Sequence, residues 1–100
     1  LPNPVDYGAS KAALLQLSRY FAAYYGPHGL RFNCVTPGPF PNPGVQAASP
    51  AFAAELAQKT ALRRIGRNDE IVGPVVFLLS DSASYVTGHS LVVDGGWTVT

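Results

Sequence analysis

Hydrophobic and polar positions divide the chain of 100 residues into five runs. Over residues 6–25, Leu14, Leu17, Phe21 and Tyr24 recur at helical spacing, with Leu15, Ala22 and Tyr25 beside them. So wide an apolar stripe predicts a helix covered on two sides. Ala12, Ala13, Leu14 and Leu15 are strong helix formers. Asp6 is placed to act as the N-cap, with Pro4 just outside. Gly26-Pro27 predicts the end, because Gly accepts the left-handed cap and Pro cannot continue the helix. Residues 30–35 follow the His28-Gly29 turn and read as a buried strand stopped by Pro37. Pro37, Pro39, Pro41, Pro43 and Pro50 then predict a stiff loop outside sheet and helix. A second helix is expected over residues 50–60, with Ser49 as N-cap and Pro50 at its first position. A third starts after Asn68, with Asp69 and Glu70 at its positive end. Gly73-Pro74 inside it predicts a kink or a late start. Ser90-Leu91-Val92-Val93 reads as a final buried strand, ended by Gly95-Gly96. Helix, strand, helix, helix, strand is the order found at the end of an α/β fold with a parallel sheet.

Composition sharpens this picture. The chain is 47% hydrophobic and 13% charged, and that charged share is about half the usual one. Such a balance suits a piece of a larger core, or a small domain that relies on partner subunits for burial. No Met is present, so Leu1 is taken as a truncation point. Seven basic and six acidic residues leave a net charge of +1 without a basic stripe, and nucleic acid is not an expected partner. No apolar run reaches the roughly 18–20 residues of a membrane span, so no membrane partner is expected. Residues 1–10 lack the basic start of a signal peptide, and a cytoplasmic location is the expectation. The single Cys34 forms no internal disulfide and reads as a small core residue. His28 and His89 show no metal-ligand spacing with each other or with Cys34, so no metal site is expected. Arg63, Arg64 and Arg67 are the densest basic cluster. They read as a solvated or ion-paired surface, with an anionic substrate as the lesser alternative.

Tyr7 and Lys11 carry the candidate chemistry. Four residues apart on a helix, they share one face, one turn apart. Gly8, Ala9 and Ser10 between them are small enough for a ligand to approach that turn closely. Bringing a tyrosine from its ordinary pKa to near neutrality takes about 3 units, or roughly 4 kcal/mol, and a neighbouring ammonium in a desolvated cleft favours the phenolate. A phenol so poised exchanges a proton with a substrate hydroxyl or carbonyl. The spacing alone is unspecific, since a Tyr and a Lys one turn apart often merely line a helix.

Context makes the spacing specific. Tyr7-Gly8-Ala9-Ser10-Lys11-Ala12-Ala13-Leu14 resembles the active-site helix of the short-chain dehydrogenase/reductase family. Arg31-Phe32-Asn33-Cys34-Val35-Thr36-Pro37-Gly38 is similar to that family's next strand and Pro-Gly turn. Leu62-Arg63-Arg64-Ile65-Gly66-Arg67, Ser84-Tyr85-Val86-Thr87-Gly88 and Val92-Val93-Asp94-Gly95-Gly96-Trp97 then match in order, so the likeness runs over residues 2–98. The resemblance implies the C-terminal part of a Rossmann-like doubly wound parallel sheet. Residues 1–100 would be the C-terminal half of one dinucleotide-binding domain, with the N-terminal half absent. It implies NAD or NADP as cofactor and a small alcohol or carbonyl as substrate. Tyr7 would be the general acid/base, and Lys11 would lower its pKa and bind the nicotinamide ribose. Pro37 and Gly38 would pass under the nicotinamide, and the backbone at Phe40 would face its carboxamide. Two positions on, where the family often has a Thr near the phosphates, this chain has Asn42. Asp94 would be a structural turn residue.

The same resemblance places a glycine-rich phosphate loop, a catalytic Ser and an active-site Asn before Tyr7. Only six residues precede it and none is Ser, so residues 1–100 alone are expected to be inactive and poorly stable. Residues 39–60 would gate the substrate; Phe40, Val45, Phe52 and Leu56 suit an apolar or mixed pocket, and an ordinary mobile, apolar lid equally well. Two alternatives to an enzyme stand beside this reading. One is a non-catalytic relative that keeps the dinucleotide pocket. The other is a scaffold that forms a homodimer or homotetramer through the first helix.

Overall fold

A computed structural model describes residues 5–100, the side chains of Val5 and Tyr7 excepted. Helix α1 spans Val5–Tyr25. It starts before Asp6, which therefore lies in the first turn and complements the helix dipole there rather than capping it. Pro4, expected just outside, falls outside the described residues. A 3-10 turn, Gly26–His28, follows. The left-handed residue is Gly29, at φ 80°, not Gly26, because the chain makes this extra turn before reversing.

The C-terminal half of α1 docks on the chain that comes after it. Phe21 and Tyr25 each pack on Phe32 with ring centroids 5.7 Å apart. Ala22 is buried, and a Cβ placed at Gly88 would sit 3.5 Å from the Ala22 Cβ. The expected two-sided cover is not found among the described residues. Leu14, Leu17, Tyr20 and Tyr24 are all about half exposed, because no described element lies over that side.

Strand β1, Cys34–Pro37, pairs in parallel with β2, Ser90–Val93, from Cys34 opposite Ser90 to Pro37 opposite Val93. β2 has the limits expected from the sequence, while β1 begins and ends later than expected. Residues 30–33 lie outside the ladder and are held by two backbone bonds, the Gly88 amide to the Phe32 carbonyl (2.7 Å) and the Leu30 amide to the Tyr25 carbonyl (3.3 Å), and by side-chain bonds. The Phe32 amide donates to Thr87 Oγ1 (3.0 Å), Asn33 Nδ2 donates to the Val86 carbonyl (2.9 Å), and the His89 amide donates to Asn33 Oδ1 (3.0 Å). Pro37 closes the strand from within, since it needs no donor at that end. Both strands are half-buried rather than buried, with helix α4 packed on them.

Asn42-Pro43 opens a short helix, α2 (Pro43–Ala48), inside the segment expected to stay irregular. Asn42 Oδ1 accepts from the Val45 amide at 2.8 Å, and Pro43 occupies the first turn. Proline at that position lacks only a donor the helix would leave unpaired, so the proline-rich stretch admits a helix. Helix α3 spans Pro50–Gln58 and ends two residues earlier than expected; Ser49 stands at its N-cap without a side-chain bond. Helix α4 spans Asp69–Leu79 and starts at the acidic pair, not late, with Pro74 inside it. Arg31 ties its end down: Nη1 donates to the Leu78 carbonyl at 2.9 Å and Nη2 to the Ser80 carbonyl at 3.3 Å. A cation there complements the negative end of the helix.

Among the described residues the buried apolar ones are Ala22, Leu78 and Ala83. The radius of gyration is 15.8 Å, against about 13 Å for a compact domain of this length. No helix among the described residues is long and apolar enough to cross a membrane.

Candidate active-site cleft

The two parallel strands end side by side, and the candidate site is built on their C-terminal ends. The Gly38 amide continues the ladder by donating to the Val93 carbonyl at 2.9 Å. Gly38 lies so close to the following residue that a Cβ would come within 2.6 Å of Asp94 Cα. Only glycine fits that approach. Asp94 in turn organises the last turn of the chain. Its Oδ1 accepts from the Gly96 amide (2.9 Å) and its Oδ2 from the Thr98 amide (3.0 Å). These donors, Gly96 first, hold the carboxyl below the usual carboxylate range. Its structural role is thus the one expected from the sequence.

Residues 60–66 form the opposite wall. Thr60 is 1% exposed; its hydroxyl donates to the Ala57 carbonyl at 2.9 Å and accepts from the Arg64 amide at 3.2 Å. Leu62 donates its amide to the Gly95 carbonyl at 3.0 Å. Gly96, at φ 86°, leaves room for Ala61, whose Cβ would be 2.5 Å from any Cβ placed there. Gly66 donates to the Pro39 carbonyl at 3.0 Å, and a Cβ on Gly66 would overlap the Phe40 ring. Between these walls lies a cleft of about 470 Å³, lined by Phe40, Leu62, Arg64, Gly66, Glu70 and Asp94 among others.

Two members of the arginine cluster, Arg64 and Arg67, are ion-paired, as one reading of the sequence holds. Arg64 grips Glu70 through both carboxylate oxygens, Nη1 to Oε1 at 2.6 Å and Nη2 to Oε2 at 2.8 Å. The Arg67 amide adds a bond to Glu70 Oε1 at 2.9 Å. The Arg64 guanidinium, and next the Arg67 amide, hold the Glu70 carboxyl well below its ordinary value, at about 2. Arg67 also approaches Asp69 (3.3 Å), and Arg63 donates to the Gln58 carbonyl (2.7 Å).

The expected site residues fall into two groups. Pro37, Gly38 and Phe40 gather at the strand ends with Asp94 and Gly66. Lys11 is exposed on α1, four residues along from Tyr7, whose side chain lies outside the described residues. Val45 and Phe52, expected to share a pocket with Phe40, stand 37% and 48% exposed and do not line this cleft. Asn42 caps α2. Sequence reasoning missed Gly66 and Glu70 as parts of the wall. The available signal was a Glu three residues past Arg67 at a helix start, the spacing at which an acidic side chain reaches back to a free amide. Among the described residues no cluster of His, Cys, Asp and Glu is suited to a metal.

A family model described as enoyl-(acyl carrier protein) reductase matches residues 1–98. The chain is 38% identical over 104 residues to 2-(S)-hydroxypropyl-CoM dehydrogenase 3 of Xanthobacter autotrophicus, which covers 98% of this chain and 41% of the relative. It superposes with a TM-score of 0.85 and 31% identity on a 4-hydroxyisoleucine dehydrogenase complexed with NADH, over 94% of this chain and 40% of that one. With a short-chain dehydrogenase of Leptospira borgpetersenii bearing NAD+ the TM-score is 0.84 and the identity 39%, over 96% of this chain and 36% of that one. The chain spans well under half the length of the curated relatives it matches, 31% and 41% in two of them.

Proposed function

The chain belongs to the short-chain dehydrogenase/reductase family, and from that premise we propose that the whole protein is an NAD- or NADP-dependent oxidoreductase interconverting an alcohol and a carbonyl. Tyr7 is the general acid/base and Lys11 its activator. One observation carries the reading: α1 is continuous from Val5, so its backbone sets Tyr7 and Lys11 one turn apart in its first turns.

The described residues fit a nicotinamide dinucleotide. Open parallel sheets take ligands at the C-terminal ends of their strands, and Pro37 and Val93 end together there. Gly8, one turn from Lys11, leaves that face clear: a Cβ on it would meet nothing within 4 Å. Pro37, Gly38 and the Phe40 backbone would hold the nicotinamide, and Lys11 its ribose. When bound, the nicotinamide supplies or accepts the hydride. Tyr7 gives its phenolic proton to the forming alkoxide in reduction and takes it back in oxidation. Lys11 favours the phenolate by its charge, which brings the proton exchange toward neutral pH.

In the whole protein, Tyr7→Phe is expected to lower kcat by about 10²–10⁴-fold while fluorescence titration shows nicotinamide binding almost unchanged. Turnover that survives the substitution would remove Tyr7 from the mechanism, and the non-catalytic alternative predicts no turnover even in the unaltered protein. The exposed apolar side of α1 supports a homodimer or homotetramer formed through that helix.

A further inference from the structure

The part of the cleft wall that leads into α4 is tied by one carboxylate. Glu70 is reached twice from the chain that precedes it, by the Arg64 side chain at 2.6 and 2.8 Å and by the Arg67 amide at 2.9 Å. Those contacts close residues 64–70 into a loop over the start of α4. Gly66 sits inside that loop. Its amide bonds the Pro39 carbonyl at 3.0 Å, and its α-carbon lies against the Phe40 ring, with no space for a Cβ. Pro39 and Phe40 directly follow Gly38, which is pressed onto Asp94. A path therefore runs from Glu70 by its hydrogen bond to the Arg67 amide, through the adjoining Gly66, to Pro39, Phe40 and the Pro-Gly turn.

We propose that Glu70 is a positioning residue: by latching residues 64–70 it holds Gly66 against Pro39 and Phe40, and so fixes the backbone that receives the nicotinamide. This rests on the function proposed above. Glu70 acts through Gly66 and touches no reacting group, so its loss loosens the cofactor's seat and leaves the proton-transfer pair untouched. The charged groups facing it are Arg64 and Arg67, with Asp69 next to it in sequence. The other basic residue of the cluster, Arg63, is turned toward Gln58. The bidentate grip makes the fork geometry matter as well as the charge, so a lysine at position 64 is a poor substitute.

The test uses the whole protein with Glu70→Gln, Arg64→Lys and Arg64→Ala, the double change Arg64→Ala with Glu70→Gln, and Gly66→Ala, each checked for an unchanged circular dichroism spectrum. Glu70→Gln and Gly66→Ala are expected to raise the KM for the nicotinamide cofactor about three- to tenfold, with kcat within about twofold. The double change is expected to cost no more than the larger of its two components, because both act on one latch. Amide exchange at Gly66 is expected to quicken about tenfold in Glu70→Gln. Faster exchange with an unchanged KM would overturn the positioning role while leaving the enzyme reading intact, as would independent, additive effects of the two partners. An unaltered protein that neither binds nor turns over nicotinamide would overturn the enzyme reading and this role together. Should Gly66→Ala fail to fold, Glu70→Gln and its exchange rate decide the matter alone.

Discussion

At the scale of single residues, close approach rather than polarity marks the site. Gly38, Gly66 and Gly96 each stand where a side chain would meet another part of the chain, at Asp94, Phe40 and Ala61 respectively. Gly38 is the least forgiving, because the atoms in the way are backbone and cannot swing aside. Gly38→Ala in the whole protein is expected to destabilise it by roughly 1–3 kcal/mol, the cost of forcing a methyl into filled space. A urea midpoint lowered at constant m-value would show it. An unchanged midpoint would mean that Asp94 and the turn after it move away easily. Asp94 and Glu70 illustrate a second residue-scale lesson. Both acids are held ionised by backbone amides, and Glu70 by an arginine as well, so their visible work is to shape turns that border the cleft.

At the scale of elements, α1 is used unevenly. One side of its C-terminal half meets Phe32 and Gly88, while Leu14 and Leu17 in the middle of the helix, 57% and 49% exposed, present apolar surface. Association through this helix would cover that surface. Leu14→Glu combined with Leu17→Glu is expected to shift the whole protein from a dimer or tetramer to a monomer at micromolar concentration, since each buried leucine contributes about 1.5–3 kcal/mol by burial. Sedimentation velocity reads the change. A protein that is monomeric before substitution, or that stays associated after it, would move the interface away from α1. Helix α2 teaches the opposite lesson, because it owes its existence to local chemistry: Asn42 caps and Pro43 starts it, with little burial to help.

At the scale of the whole molecule, burial is scarce. The chain is 47% hydrophobic, yet among the described residues the buried apolar ones are Ala22, Leu78 and Ala83, and Leu79, Tyr85 and Val99 are almost bare. Two strands form the sheet, with α4 on them, and a pair of strands alone is marginal in water. Residues 1–100 produced alone are expected to show no cooperative thermal transition by circular dichroism at micromolar concentration. A sharp, reversible melt would show that these contacts suffice. The matched relatives are more than twice as long as this chain.

Sequence alone determined what depends on neighbours along the chain. The helical stripe over residues 6–25, the acidic start of α4, the limits of β2 and the parallel α/β order all follow from periodicity, capping chemistry and dipoles within a few residues. The resemblance read from ordered motifs settled the family before any geometry. Tertiary structure decided what depends on residues brought together from afar. β1 starts at Cys34 because its partner is only four residues long and the preceding stretch is claimed by Thr87 and Val86. Gly66 meets Phe40 and Gly38 meets Asp94 across separations that no local pattern encodes. A glycine reads as a turn in a sequence; that it is a point of contact becomes visible only when the opposing atoms are in place.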